Sequence, residues 1–393
     1  MDLKPKMIFA VNCGSSSLKC AAFLLEEGAL QERYRFVVKD LATPEVEVRD
    51  PRTGNVIRII SRETDLVEAL DEILDFLEEE GLLSAIACIG HRMVHGGVHT
   101  APVHAGPDIL EELEQYAGAA PLHNPPAMAC IRYLSERLPD VDQVICFDTQ
   151  FHHEMPALSS RIPISAKLTN GFIKKYGFHG LSCESVLRQL KETRPELADK
   201  KIIIAHLGNG CSLTSVVQGK STDNTMGFTP FGGIVMSSRP GDLDPGVLFY
   251  LLKERKASVE EMEELLQRES GLKALHGKTG DLSELVKESE RDAGADFAVE
   301  YFVKSVCAAI ASLTAGMGGI DALIFTGGIG ENNTEVRRRI AVRMGWMGFT
   351  LNEKQNARHN DSISETGAPV YIGIIRTDEE KIIAEQSFKK NTG

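Results

Sequence analysis

Met7–Lys19 reads M-I-F-A-V-N-C-G-S-S-S-L-K, an apolar strand running straight into a small-residue turn rich in backbone N–H and hydroxyl donors. Two later segments repeat the pattern. Ile202–Leu213 is I-I-I-A-H-L-G-N-G-C-S-L, and Ala322–Asn333 is A-L-I-F-T-G-G-I-G-E-N-N. A residue without Cβ lets the main chain approach an anion closely. Three strand-to-glycine-turn units therefore point to three backbone surfaces around a polyphosphate, and so to a nucleotide-handling enzyme. Gly327–Gly330 has neither G-x-G-x-x-G nor G-x-x-x-x-G-K-[ST] spacing, which removes the Rossmann and P-loop readings.

The rest of the chain reads as α/β. Lys19–Leu25 is the return strand of a hairpin, and Val46–Ile60 offers strand material around a turn at Pro51–Asn55. Leu66–Glu79 is an amphipathic helix with Leu66, Leu70, Ile73, Leu74 and Leu77 on one face. Ile86–His91 and Val144–Phe147 are buried strands, the latter delivering Asp148 at its C-terminal end, where ligand sites of α/β sheets gather. Ile109–Gln115 starts a helix. The second half repeats this logic with strands at Ile202–Ala205, Leu323–Thr326 and Val370–Ile375. Its helices are expected at Val247–Lys256, Val259–Glu269 and Ala298–Ala315, the last a core element or a dimer surface. A strand-turn-strand loop in each half looks like a duplication, with one site between the halves and a boundary near residue 150.

Composition narrows the class. A chain of 393 residues favours two domains, because single cores stop growing near about 250–300 residues. The net charge of −13 argues against a nucleic-acid or anionic-membrane surface, so any phosphate site needs local Arg, Lys and N–H groups. None of the eight cysteines forms a C-x-x-C pair, and Cys88, Cys146 and Cys307 sit in apolar runs. That suits reduced core thiols. M-D-L-K-P-K leads directly into a core strand, so no signal peptide is expected. The uncharged run Ser305–Ile320 is interrupted by Ser, Thr and Gly and is too short to span a bilayer. A soluble, cytoplasmic protein with no nucleic-acid or membrane partner is expected.

Three further segments carry candidate chemistry: His91–Gly97 (H-R-M-V-H-G-G), Tyr176–Ser182 (Y-G-F-H-G-L-S) and Ser237–Pro245 (S-S-R-P-G-D-L-D-P). Each sets a cationic or hydrogen-bonding side chain beside glycine. Two separate arginines suit a reaction between two anions, because guanidinium forks bind carboxylate and phosphate bidentately. Asp148 is placed to hold hydrated Mg²⁺, with Glu379 a second candidate.

With these segments, A-P-L-H-N-P-P (Ala120–Pro126), F-D-T-Q-F-H (Phe147–His152), G-F-T-P (Gly227–Pro230) and F-T-G-G-I-G-E-N in register, the chain resembles the acetate kinase family over essentially its full length. That family lies within the sugar kinase, heat-shock chaperone and actin superfamily. The resemblance implies two actin-like, ribonuclease H-like domains with a cleft between them, over 1–150 and 151–379. A C-terminal helix at about 380–393 would return to the first domain. It also implies reversible transfer of the γ-phosphoryl of ATP to acetate or another short-chain carboxylate, giving acetyl phosphate and ADP, by a homodimer using Mg²⁺ or Mn²⁺.

By the same resemblance, Asn12 would contact the phosphoryl and metal region, and Arg92 and Arg239 would grip the carboxylate and the developing charge. His179 would donate to the phosphoryl in flight. Asn12, Asp148 and Glu379 would organise the metal. Val94, Leu122, Phe178 and Pro230 would enclose the acyl end, alongside Arg92. Phosphates and adenosine would meet Ser15, Ser17 and Lys19 in the first turn and His206, Gly208, Asn209 and Gly210 in the second. Gly327, Gly328, Ile329, Gly330 and Asn332 in the third would join them, together with Asp281.

The chain departs from the family pattern at several positions. Leu181 and Cys183 follow Y-G-F-H-G where Thr and His are usual, and Pro240 follows Arg239 where Ser is common. Ser283 replaces an Arg near adenine. Asp378 stands where Asn is usual, adding an acid near the metal. Asp242 and Asp244 read equally as helix caps or ligands. His91, His95, His123, His152 and His153 lack zinc spacing, so hydrogen-bonding roles are favoured. Three alternatives stay open: a propionate or general short-chain acyl kinase, a nucleotide-gated binding protein of the chaperone or actin type, and an inactive paralogue. A diphosphate-dependent relative is disfavoured by the open turn at Gly327–Gly330.

Overall fold

Apolar runs set the architecture. Met7–Cys13 (β1) is buried along its whole length, the signature of a strand covered on both faces. It pairs antiparallel with Leu18–Glu26 (β2), which pairs with Ala29–Val38 (β3); Glu45–Arg49 (β4) and Val56–Ser61 (β5) continue the meander. On the other side of β1, Ile86–Met93 (β6) runs parallel to it and Asp142–Phe147 (β8) parallel to β6, with the two-residue strand Val103–His104 (β7) at the edge. A computed structural model describes residues 6–14, 17–38, 45–61, 66–165, 167 and 172–392.

Among these residues the chain forms two compact units. One comprises Met1–Phe151, Gly180–Ser185 and Asp378–Gly393, the other His152–His179 and Val186–Thr377. The second unit holds Lys201–Leu207 (β9), Cys211–Val217 (β10), Lys220–Asn224 (β11), Ala322–Thr326 (β12) and Tyr371–Ile374 (β13), in the order β11-β10-β9-β12-β13. In both sheets an antiparallel meander, of five strands in the first and three in the second, is followed by two strands parallel to its first member. Shared wiring of this kind is the actin-like α/β architecture.

In the first unit the C-terminal helix Glu379–Thr392 covers one sheet face. Its Ile382, Ile383 and Ala384 join Ile8, Ala10, Ala21, Phe23, Cys88, Val144 and Leu181 in one apolar cluster. Gly90 permits that approach, since a Cβ there would meet Ser387 Oγ at 2.3 Å and Ile383 at 2.7 Å. Phe9, Tyr34 and Phe36 form an edge-to-face aromatic group with Phe76 of the helix Leu66–Glu79. In the second unit, β9 and β12 bury Ile202–Ala205 and Leu323–Phe325 completely, beside the helix Ala293–Met317. That helix is long and apolar enough to cross a membrane by length and composition, with 50% of its most apolar stretch buried inside the protein. It starts on an Asp292 cap and ends at left-handed Gly318, so it is longer at both ends than its apolar run suggests.

Candidate active site

In the first unit, three strand ends and a helix start bring Asn12, Arg92, Asp148 and Glu379 together. Asn12 and Arg92 lie one residue before the ends of β1 and β6, and Asp148 follows β8, so parallel pairing delivers all three to one edge. Arg92 is forked onto Asp148, with Nη2 at 2.7 Å and Nε at 3.2 Å from its oxygens. Arg92 Nη1 donates to Asn12 Oδ1 at 3.0 Å and lies 3.5 Å from Glu379. The Asn12 amide donates to Glu379 at 3.0 Å and to Glu380 at 2.7 Å. Asp148 is fully buried and Glu379 nearly so. Burial opposes the charge on Arg92, but Asp148 and Glu379 outweigh it and hold the guanidinium more firmly charged than usual.

Arg92, one half of the expected carboxylate clamp, and the residues expected to organise a metal are therefore one hydrogen-bonded set. It offers a hard cation two carboxylates and an amide oxygen, the donor type that Mg²⁺ and Mn²⁺ prefer. Val94 is buried nearby. The Asn124 side chain exchanges hydrogen bonds with the His95 backbone, 3.0 Å each way, tying the segment of Val94 to that of Leu122. Lys19 stands directly across the hairpin from Asn12, with its side chain exposed. Ser17 accepts the Gly14 N–H through its carbonyl at 2.8 Å, and Ser15 lies outside the described residues.

The second unit assembles the other candidates. His179 adopts the left-handed conformation (φ 58°) just before the helix Gly180–Thr193, a conformation rare for a residue with Cβ. Its Nδ1 is 2.9 Å from Ser212 Oγ, and its ring stacks on His206 with centroids 4.1 Å apart. His206 and Ser212 face each other across the β9–β10 ladder. A Cβ on Gly210 would lie 3.6 Å from His179 Nε2 and 3.8 Å from Arg239 Nη1, so this glycine leaves the space that both side chains border. Arg239 donates to the Pro230 carbonyl at 3.2 Å and lies over the Phe231 ring. Among the described residues it pairs with no carboxylate, and burial lowers its pKa from the usual value. Phe178 is buried, and its carbonyl accepts from His152 at 2.9 Å and from Asn224 at 3.3 Å.

Gly208, Asn209, Asp281, Gly328 and Ile329 line one cavity of about 290 Å³, joined by Cys211, Ser237, Leu272, Gly280, Leu282, Ser283 and Phe302. Asp281 Oδ1 caps the helix Leu282–Glu288 by accepting from Ser283 and Glu284 N–H. The third glycine segment is a short helix, Gly327–Asn332, and not an open turn. Glu331 accepts the Gly327 N–H at 3.0 Å, Asn332 donates to the Gly328 carbonyl at 2.9 Å, and buried Arg337 donates to the Gly330 carbonyl at 2.8 Å. Gly327 itself is obligatory, with φ 78° and a Cβ position 2.7 Å from the Leu207 carbonyl.

Several other side chains have hydrogen-bonding or packing partners within the fold. Asp242 accepts from Gly233 N–H and Asp244 from Gly246 N–H. His91 bonds Gln143, and His152 bonds Ser221 and Phe178; burial pushes both rings down to about 4, so they are neutral scaffolding. Leu181 belongs to the first unit's apolar cluster and Cys183 is buried. Asp378 pairs with Arg35 at 2.9 Å, so its charge is directed to that guanidinium. One further cluster has metal-like composition: His276 Nε2 lies 3.5 Å from Asp292 and 4.0 Å from Glu288. Thr279 N–H donates to His276 Nδ1 at 3.3 Å, so the neutral ring keeps its proton on Nε2 and presents a donor, not a lone pair. Sequence reading missed Glu380, Ser212 and Arg35. Ser212 sits inside the second glycine segment and Glu380 directly follows Glu379; Arg35 has no local signal.

Known proteins of one family match this chain along nearly its whole length. The acetokinase family model matches residues 7–385. An acetate kinase of Nitrobacter hamburgensis is 38% identical over 388 residues, covering 97% of this chain and 95% of that one. An acetate kinase of Clostridium novyi is 36% identical, covering 97% of each. A solved propionate kinase of Francisella tularensis superposes with a TM-score of 0.89 at 34% identity, covering 98% and 99% of the two chains. A solved acetate kinase of Porphyromonas gingivalis gives 0.84 at 29%, with the same coverage. Relatives this similar over the whole chain, and a family model spanning it, place the protein in the acetokinase family.

Proposed function

We propose that the protein is an acetate kinase, transferring the γ-phosphoryl of ATP directly to acetate and running the reverse reaction with acetyl phosphate and ADP. The observation that carries the reading is Arg239, a mostly buried guanidinium with no carboxylate partner among the described residues. Such a group needs an anion, and in this chain it borders the same glycine gap as His179.

The chemistry asks little of the protein beyond alignment and charge. Acetate is ionised at neutral pH and needs no general base, so catalysis is positioning plus neutralisation of a loose, metaphosphate-like transition state. Arg239 and Arg92 supply positive charge to the carboxylate and the equatorial phosphoryl oxygens. His179, oriented through Ser212, donates a hydrogen bond from Nε2 to the phosphoryl group. The cavity lined by Asn209, Asp281 and Gly328 receives adenosine, and Gly208–Gly210 takes the phosphates. Asn12, Asp148 and Glu379 would hold Mg²⁺, or Mn²⁺ in its place, which when bound neutralises phosphate charge. The family resemblance assigns Val94, Leu122, Phe178 and Pro230 to the acyl end of the substrate, all of them compact apolar groups. One methylene is worth about 1–3 kcal/mol in an apolar pocket, so propionate reacts more slowly than acetate but is not excluded.

A homodimer is part of the proposal. The helix Pro245–Glu254 (P-G-V-L-F-Y-L-L-K-E) buries none of its residues, leaving Val247, Phe249 and Tyr250 at 43%, 59% and 53% exposure, a surface suited to a second copy. All eight cysteines are buried and none is in a disulfide, which suits the reducing cytoplasm. The test of the reaction is ATP synthesis from ADP and acetyl phosphate, read by luciferase. Steady ATP formation supports the assignment, and none with intact, ADP-binding protein rejects it.

A further inference from the structure

β3 reads A-L-Q-E-R-Y-R-F-V-V, with Tyr34, Phe36 and Val38 buried on one face and Arg35 on the other. Arg35 reaches three carboxylates. Nε and Nη2 donate to Glu32 at 2.6 and 2.9 Å, Nη2 to Asp378 at 2.9 Å and Nη1 to Glu380 at 2.9 Å. Glu380 is nearly completely buried, and its second oxygen accepts from the Asn12 amide at 2.7 Å. The same amide nitrogen donates to Glu379, and Asn12 Oδ1 accepts from Arg92. A continuous chain of short polar contacts thus runs from β3 to Asp148. Asp378 is held from a second side, its N–H donating to Ser185 Oγ at 2.9 Å.

We propose that Arg35 is a positioning residue for the divalent-cation site, fixing Asp378 and Glu380 so that Asn12 and Glu379 present their oxygens in one arrangement. The inference rests on the metal reading of Asn12, Asp148 and Glu379 given above. Among the described residues the network joins five carboxylates (Glu32, Asp148, Asp378, Glu379, Glu380) to two guanidiniums (Arg35, Arg92). Without Arg35, Glu380 is a desolvated carboxylate beside Glu379 and Asp378, with no cation of its own among the described residues. Like charges in such a place separate or draw in whatever positive group is near, here Arg92. Either movement shifts Asn12 and Glu379.

Charge and geometry predict opposite signs, which makes the proposal testable. Removing Arg35 leaves the region more negative, and attraction alone would tighten a dication. Loss of positioning weakens it. Mn²⁺ is titrated into the nucleotide-free, full-length protein and free Mn²⁺ is read by electron paramagnetic resonance, for the wild type, Arg35→Met, Arg35→Lys and Asp148→Asn. Circular dichroism checks folding. The expected result is about tenfold weaker Mn²⁺ binding in Arg35→Met, with Arg35→Lys, which keeps the charge but loses the fork, falling between it and wild type. Where Arg35→Met does not fold, Arg35→Lys alone decides. Weaker binding supports the proposal, and wild-type affinity overturns it. If Asp148→Asn weakens Mn²⁺ while Arg35→Met binds as tightly as wild type or tighter, positioning by Arg35 is refuted and the metal reading survives. If Asp148→Asn changes nothing, the metal reading fails and the Arg35 proposal falls with it.

Discussion

Replacing Arg92 with methionine removes one partner of a buried ion pair and leaves the other in place. Asp148 has no exposed surface and loses its forked contact at 2.7 and 3.2 Å. Breaking such a pair costs about 3–5 kcal/mol, chiefly the penalty of an uncompensated carboxylate. At roughly 2–4 °C per kcal/mol for a unit of this size, Tm should fall by about 6–20 °C without abolishing the fold. Two further variants apportion the effect. Arg92→Met with Asp148→Asn removes both charges and should regain most of the loss. Millimolar Mg²⁺ should stabilise Arg92→Met more than wild type, because a dication can take the place left by the guanidinium. In the acyl phosphate assay, kcat should drop by about 10³-fold or more, the scale of a lost arginine in phosphoryl transfer. An unchanged Tm would refute the buried-pair reasoning. Near-normal turnover in the folded variant would remove Arg92 from the mechanism.

Other substitutions probe the second unit and the scaffold. Gly327→Ala places a Cβ at φ 78° and 2.7 Å from the Leu207 carbonyl, so it should destabilise the protein by several kcal/mol and weaken ATP binding in calorimetry. Ser212→Ala leaves His179 without its 2.9 Å partner and should lower kcat by about tenfold with little change in the KM for ATP; an equal loss in both would argue for general disruption. His91 and His152 are held neutral, down at about 4, against about 6.5 in the unfolded chain. The unfolded state therefore binds more protons between pH 6.5 and 4, so stability falls with pH through that window, by about 3 kcal/mol for each ring once below it. His91→Asn should flatten the acid limb of urea midpoints measured at pH 7, 5.5 and 4, and an unaltered slope would contradict the neutral-ring account.

Much of this was legible in the chain because apolar runs and cap residues are local signals. The helix Leu66–Glu79 coincides with its hydrophobic periodicity, and β1, β6, β8 and β9 lie where their apolar runs lie. The clustering of Asn12, Arg92 and Asp148 follows from three strands ending at one edge, so motif order alone reaches it. What escaped depends on distant partners. Asp378 read as an added acid near the metal, yet it is drawn to Arg35, 343 residues earlier, and no spacing rule connects the two. The third glycine segment read as an open turn because its composition is that of a turn. Glu331 folds back onto the Gly327 N–H and makes it the start of a helix. The fork of Arg92 on Asp148 was likewise invisible, since sequence assigned the two to different ligands and structure shows them holding each other.

The central claim is that a carboxylate accepts the phosphoryl group. It is tested most directly by trapping acyl phosphate as the hydroxamate, with purified protein, Mg-ATP and acetate, propionate, butyrate or no acid. The account predicts hydroxamate with every short acid, with kcat/KM highest for acetate, and no ATP consumption without an acid. ATP turnover that proceeds equally without any carboxylate, and no hydroxamate from any of the three, would contradict it.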